Sequence, residues 1–305
     1  MGIGKRPLKV GVVLPDTQRE MGGGDPKWRD IAAMARLAED AGFDSIWVCD
    51  HLNFVFEGEE PQGVWESFTL QSALASVTSR VEIGAVVNCT GYRNPAMTAK
   101  IATTIDEISN GRLILGLGAG WHKPEYRAFG YPYDHRVSRF EEALTIIHGL
   151  LRNGYVDFEG TYYQARECEM RPRGPRPSGP PIMVGSTAPR MLGLLAKYGD
   201  IWNAWGINSP DQVAPDREKV DAAMTANGRD PATVERSVVV LLDMPGAAGR
   251  PREDGVFLSG APEEIAEAFR GYAREGISHI QLMLDPNTLK GIESVVPVLE
   301  LLDRE

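Results

Sequence analysis

Apolar runs and helical stripes alternate along the whole chain. Lys9 to Pro15 is a β-rich apolar run, followed by a stretch in which Ile31, Met34, Ala35, Ala38 and Ala41 share one helical face. A strand and a helix in that order form a βα unit. Further strands are predicted at Ser45 to His51, Val81 to Cys89, Leu113 to Gly120, Pro181 to Ser186, Ile201 to Gly206, Val234 to Asp243 and His279 to Asp285. Their apolar runs are nearly continuous, as suits parallel strands covered on both faces. Helices are predicted around Met97, Ile101, Ile105 and Ile108, around Phe140, Leu144, Ile147 and Leu151, and around Ile265, Phe269 and Tyr272. Leu289, Ile292, Val296, Leu299 and Leu302 mark the last helix. About eight βα units are what an α/β fold needs to close a (β/α)8 TIM barrel. An open doubly wound sheet uses the same alternation and is the competing architecture.

Glycine and proline punctuate the units. Gly42, Gly111, Gly199 and Gly276 each stand between a helical pattern and a strand, where a left-handed C-cap is wanted. Pro95 and Pro262 fall at helix starts, where a missing N–H costs nothing. The connections from strand to helix are the long ones: Asp16 to Lys27 with three consecutive glycines, Asn53 to Gln62, His122 to Arg136, and Met244 to Gly260. In a barrel, long loops on that side mark the working face. Asn153 to Pro180 holds a hairpin-like segment and a Pro/Arg/Gly-rich run, and reads as an insertion before strand 5 within one domain spanning residues 1–305.

Composition narrows the functions. With 43% hydrophobic and 24% charged residues the chain is that of a soluble globular protein, and its formal charge of −10 argues against nucleic acid or anionic lipid as partners. Small molecules are the expected ligands. No segment has the apolar length to span a bilayer, and the N-terminus lacks the apolar region of a secretory signal, so a cytoplasmic location is expected. Cys49, Cys89 and Cys168 are odd in number and widely spaced, which suits buried thiols rather than disulfides or a zinc site.

Several motifs can carry chemistry. The glycines of LILGLGAGW, Leu113 to Trp121, would let backbone approach a phosphate or a flat ring. A dinucleotide fingerprint fails, because its third glycine position is Trp121 and no acidic residue ends a following strand at the expected distance; a tight strand-to-loop turn is the alternative. Asp50 and His51 end the second strand, where a barrel presents reactive groups, and a carboxylate beside an imidazole can fix its tautomer or raise its pKa. A structural hydrogen-bonded pair would leave the same residues. His122 and Tyr126 are spaced to share a helical face and could grip a phosphate, or could simply begin a solvated helix. Gly185, Ser186 and Thr187 precede a helix starting near Pro189, which makes an anion site or an ordinary N-cap. No G-x-S-x-G surrounds Ser186 and no H-x-H or H-E-x-x-H occurs, so a serine hydrolase and a metal hydrolase are disfavoured and no metal is expected.

Taken together, DSIWVCDHL at strand two, the run from YRNPAMTAKIATTIDEISNGRLILGLGAGWHKPEYRAFGYPYDHRVSRFEEAL, PPIMVGSTAPRMLGLLAKYGDIWN at strand five and GAPEEIAEAFRGYAREGISHIQL resemble the luciferase-like monooxygenase superfamily. Each piece is degenerate, but their order and spacing are specific. The resemblance implies a barrel that seats a flavin or deazaflavin ring at the strand ends. It also implies a bulge after strand three, near Val86 and Val87 beside Asn88, that often holds a non-proline cis peptide. The family's phosphate loops carry over to Ala119, Gly120, His122 and Tyr126, and to Gly185, Ser186 and Thr187. Asp50 and His51 match an Asp-His beside the cofactor's reactive edge in F420-dependent members, with proton handling next to C5 as the implied role. The sugar-phosphate dehydrogenases of the superfamily place a catalytic glutamate where this chain has Trp121, which puts that specificity in doubt; Trp121 and Trp205 could instead wall an apolar pocket.

Within that superfamily the FMN members are often longer and the compact members tend to use coenzyme F420, so the resemblance implies F420 and hydride transfer to or from a small organic substrate. His122 and Tyr126 resemble phosphate grips seen with FMN, for which oxygen activation and monooxygenation are implied, so the cofactor decides the reaction class. A flavin-binding barrel without turnover is the remaining alternative, and Asp50-His51 with both phosphate loops argues against it. A homodimer is implied by resemblance, with surface aliphatics of the second and third helices as contributors.

Overall fold

The structure, a computed structural model, describes residues 6–18, 20, 24–248 and 256–304. Eight parallel strands form its centre: β1 (Lys9–Val13), β2 (Ser45–Val48), β3 (Glu82–Ala85), β4 (Leu113–Gly118), β5 (Ile182–Gly185), β6 (Ile201–Ala204), β7 (Glu235–Asp243) and β8 (His279–Asp285). Each pairs with its sequence neighbour, and β8 returns to β1 through Lys9 opposite His279 and Val12 opposite Leu282. That pairing closes the sheet, so the α/β chain is a TIM barrel and not an open doubly wound sheet. Outside it lie α1 (Trp28–Asp40), α2 (Ser67–Val77), α3 (Pro95–Ile108), α4 (Arg136–Asn153), α5 (Pro189–Tyr198), α6 (Val213–Ala226), α7 (Pro262–Arg274) and α8 (Leu289–Asp303). A short extra helix, Lys123–Phe129, follows β4, and the segment before β5 forms an antiparallel hairpin of Tyr155–Glu159 with Gln164–Glu169. No helix among the described residues is long and apolar enough to cross a membrane.

The continuous apolar runs divide between two cores because successive strand side chains point to opposite faces. Val10, Val12, Ile46, Val48, Leu113, Leu115, Ile182, Val184, Ile280 and Leu282 face the helices in the large outer core. Val13, Trp47, Cys49, Ile114, Met183 and Ile201 fill the barrel interior. Trp47 is the plug, and it explains two strand glycines. A Cβ on Gly84 would stand 2.4 Å from the indole, and one on Gly11 would stand 2.6 Å from Nε1. The interior also holds a polar layer: Ser45 Oγ lies 2.7 Å from His279 Nε2, and Asn203 Nδ2 donates to Ser237 Oγ and Gln281 Oε1, each at 3.0 Å.

Three sequence expectations change. The run from Val81 to Cys89 is broken, because the strand stops at Ala85, passes through a cis Val86–Val87 peptide and pairs again only as Asn88–Cys89 against Leu117–Gly118. On α3 the predicted stripe is split: Ile105 is buried with Ala99 and Ala102, while Met97 and Ile108 are exposed, because the inward face runs through Thr98, Ala99, Ala102, Ile105 and Asp106. Gly42, Gly111 and Gly276 have φ near +80 to +90°, but Gly199 has φ of −92°. Its glycine serves space instead, because a Cβ there would lie 2.6 Å from the Leu195 side chain. Gly22 and Gly23 of the triple glycine and residues 249–255 of the loop after β7 lie outside the described residues.

Candidate active site

Each strand, or the loop after it, contributes to one cavity of about 860 Å³ at the carboxyl ends of the barrel. That volume lies at the upper end of the range typical of cofactor and ligand sites, roughly 300–1,000 Å³. Val86 and Val87 form part of its floor. The chain can bulge there because glycines face it. A Cβ on Gly118 would lie 2.6 Å from Val87 Cγ2, and one on Gly185 would lie 3.0 Å from Val87 Cγ1.

Asp50 and His51 both line the cavity, but they do not form a pair. Consecutive side chains diverge at the strand end, and each finds a different partner. His51 Nδ1 lies 2.9 Å from Glu125 Oε1, a residue 74 positions away in the first turn of the Lys123–Phe129 helix. Glu125 is fully buried and also accepts from Leu52 N–H at 2.8 Å and from the Tyr92 hydroxyl. Burial alone would raise its carboxyl; the hydrogen bonds from His51, Leu52 and Tyr92 hold it below the ordinary value instead. Asp50 turns away to meet Arg93 through two hydrogen bonds, 2.6 and 2.9 Å, and accepts the Cys89 N–H at 2.7 Å. Burial raises the Asp50 carboxyl against the pull of that guanidinium. The expected Asp-His couple is therefore corrected to a His51–Glu125 couple, with Asp50 bracing the bulge after β3.

The loop after β4 places Ala119, Gly120 and Trp121 on the cavity, and the end of β5 adds Gly185, Ser186 and Thr187. Arg136, at the start of α4, joins them; its Nε donates to Gly120 O at 3.0 Å and its guanidinium lies 3.9 Å from the Tyr133 ring centre. Helix α5 begins beside Thr187 with Ala188 as its N-cap and no side-chain cap, so its first-turn N–H groups are left for an anion. A guanidinium, two hydroxyls and a helix start suit a phosphoryl group, while the apolar floor and glycine gaps suit a flat ring. The residues present fit a flavin-type cofactor.

Asn88, His122 and Tyr126 are not brought to the cavity. Asn88 is buried behind the bulge, donating to Gly116 O and accepting from Ser67 and Gln71. Tyr126 is buried beneath the glycine turn, its hydroxyl 2.9 Å from both Ala119 O and Cys89 Sγ. His122 Nε2 accepts the Val55 N–H at 3.0 Å, and burial lowers its pKa, so the ring is neutral and already engaged. All three support the site from behind, because filling the space under a tight loop competes with reaching the ligand.

Other functional groups escaped sequence reasoning. Glu125, Arg93 and Arg136 carry no local motif, although all three lie within the run from Tyr92 to Leu144 that carries the family resemblance. An aromatic wall also emerges. His51 is 4.3 Å from Phe54 and 5.5 Å from Trp121 between ring centres, and Phe54 stacks on Phe56 at 5.8 Å. Trp121 and Trp205 line the cavity while remaining 56% and 43% exposed, so they stand at its mouth rather than in a packed core.

Comparison with known proteins agrees with this geometry. Residues 8–244 match the family described as luciferase-like monooxygenase. The chain is 28% identical to a 5,10-methylenetetrahydromethanopterin reductase of Archaeoglobus fulgidus, over 88% of this chain and 77% of that protein. It is 32% identical to the pyrimidine monooxygenase RutA of Enterobacter cloacae subsp. cloacae, over 74% of this chain but only 64% of that protein's length. Among solved structures, an F420-dependent secondary alcohol dehydrogenase superposes with a TM-score of 0.81 at 19% identity, covering 97% of this chain and 99% of that one. At that identity the likeness speaks for the fold.

Proposed function

The chain belongs to the luciferase-like monooxygenase family and is an oxidoreductase, and from that premise we propose that it transfers hydride between coenzyme F420 and a small organic substrate. The observation that carries the reading is His51: its Nδ1 is tied to a buried carboxylate, and its ring stands on the cavity wall. Oxidising an alcohol releases a hydride from carbon and a proton from oxygen, and reducing a carbonyl requires both. The deazaflavin supplies the hydride chemistry when bound. His51 Nε2 takes the hydroxyl proton in one direction and returns it to the carbonyl oxygen in the other. Arg136, Ser186, Thr187 and the first turn of α5 would hold the phosphoryl end, and Val86 and Val87 would contact the ring. The reductase relative, matched over 88% of this chain, supports a hydride-transfer reading.

FMN with monooxygenation is the second reading, favoured by the 32% identity to a pyrimidine monooxygenase. Titration with F420 and with FMN, followed by stopped-flow oxidation of the bound reduced cofactor in air, separates the two. Tight F420 binding with slow oxygen consumption is the expected result. Preferential FMN binding with rapid oxygen uptake would replace the proposal by the second reading. Binding of either cofactor with no turnover across alcohols, carbonyls and heteroaromatics would favour an inert binder. A homodimer belongs to the same proposal, supported by the exposed Met97 and Ile108 on α3, and sedimentation would test it. So does a cytoplasmic location, with which three cysteines that form no disulfide among the described residues, Cys49, Cys89 and Cys168, are compatible.

A further inference from the structure

Among the described residues, three hydrogen-bond donors engage the Glu125 carboxylate. Leu52 N–H engages Oε2 at 2.8 Å, His51 Nδ1 stands 2.9 Å from Oε1, and the Tyr92 hydroxyl shares that second oxygen. With both oxygens anchored the group cannot rotate. An ionised carboxylate only accepts hydrogen bonds, so the imidazole nitrogen facing it must carry the hydrogen. Free imidazole side chains in water prefer the hydrogen on Nε2, so this environment selects the less common form. Nearby groups do not compete: Asp50 is engaged by Arg93 and Cys89 N–H, and the His122 ring lies 6.3 Å away with its Nε2 taken by Val55 N–H.

We propose that Glu125 is the positioning residue that fixes His51 as its Nδ1–H tautomer and so presents an unprotonated Nε2 to the cavity. The same carboxylate anchors Leu52, two residues before Phe54, so it also sets the aromatic wall against which the substrate lies. The catalytic consequence rests on the reading above, in which His51 handles the substrate proton, whereas the tautomer does not. In one orientation Nε2 can accept a proton at once, and the imidazolium that forms is stabilised by the buried carboxylate.

The test uses ¹⁵N-labelled full-length protein without added cofactor, at a pH where the His51 ring is neutral. Nitrogen chemical shifts are expected to show Nδ1 protonated and Nε2 bare in the wild type. Glu125→Gln keeps an acceptor oxygen and should keep that tautomer. Glu125→Ala should move the equilibrium toward Nε2–H, and Tyr92→Phe, which leaves the His51–Glu125 contact in place, should not. A wild-type ring protonated on Nε2, or an unchanged tautomer in a folded Glu125→Ala protein, overturns the assignment. In turnover, Glu125→Ala should lower kcat by about 10²-fold with cofactor affinity unchanged, and Glu125→Gln by less. Unchanged kcat alongside a shifted tautomer overturns the catalytic part. A tautomer that responds as expected in a protein that turns over no F420- or FMN-linked substrate upholds the positioning role and removes the functional reading instead.

Discussion

Removing Arg93 should expose how much of the site depends on a single ion pair. The Asp50 side chain is fully buried and Arg93 is 13% exposed, with the two joined at 2.6 and 2.9 Å. At about 3 Å and an effective dielectric near 20, their gross attraction is about 5 kcal/mol. Deleting one partner of such a pair costs about 3–5 kcal/mol, because the remaining charge is left buried. Glu66, the other partner of Arg93, is 43% exposed and adds little, since water replaces the lost contact. Arg93→Met should therefore lower unfolding free energy by about 3–5 kcal/mol at neutral pH, or roughly 5–8 °C in Tm for a chain of this size. The loss should shrink on acidification, because burial already raises the Asp50 carboxyl and protonation relieves the stranded charge. Asp50→Asn in the Arg93→Met background should restore part of the loss, with a coupling energy of about 2 kcal/mol or more in the double-mutant cycle. Guanidinium unfolding of the four proteins supplies these values. A single-mutant loss below about 1 kcal/mol, or additive mutants, would refute the view that this pair braces the Cys89 N–H and the bulge after β3.

Further expectations concern the glycine turn, a buried acid and the anion end of the cavity. Gly120 has φ of +76°, and a Cβ there would stand 2.0 Å from the Tyr126 hydroxyl; Gly120→Ala should cost at least about 1–2 kcal/mol from the backbone alone and weaken cofactor binding, and an unaltered thermal midpoint would contradict this. Asp16 is buried, with one oxygen accepting Cys49 N–H and the other without a hydrogen-bond partner among the described residues, and burial followed by the nearby Glu20 charge holds its pKa well above normal. A raised carboxyl stabilises the fold below its unfolded pKa of about 3.9 and loses that contribution as pH rises through the folded value. Wild-type stability should therefore fall relative to Asp16→Asn as pH increases above about 4, and parallel stability curves would disprove it. Arg136→Leu should weaken FMN or F420 binding about tenfold or more. Riboflavin, which lacks the phosphate, should bind unchanged, and equal losses for FMN and riboflavin would place Arg136 elsewhere than at the phosphoryl end.

Much of the fold was legible because its signals are local. Nearly continuous apolar runs marked every barrel strand and period-3.6 stripes most helices, and Pro95 with Asn94 set the start of α3 through a side-chain cap that needs no distant partner. Site elements at strand ends, such as His51, Gly120 and Gly185, were legible for the same reason: a barrel puts its loops on one rim. Gly199 was misread where packing distance, not conformational preference, chose the residue, and the α3 stripe where a partly polar face turned inward.

By itself the sequence determined the order of strands and helices, the face on which long loops gather, and the residue types available there. Closure of the sheet, the split between Asp50 and His51, the pairing of His51 with Glu125 and the withdrawal of His122 and Tyr126 from the ligand were decided only by tertiary structure. The physical reason is range. Backbone preferences act over a few residues, whereas a hydrogen bond between positions 51 and 125 exists only after the barrel has gathered the segments that follow β2 and β4, two strands separated by β3, on one rim.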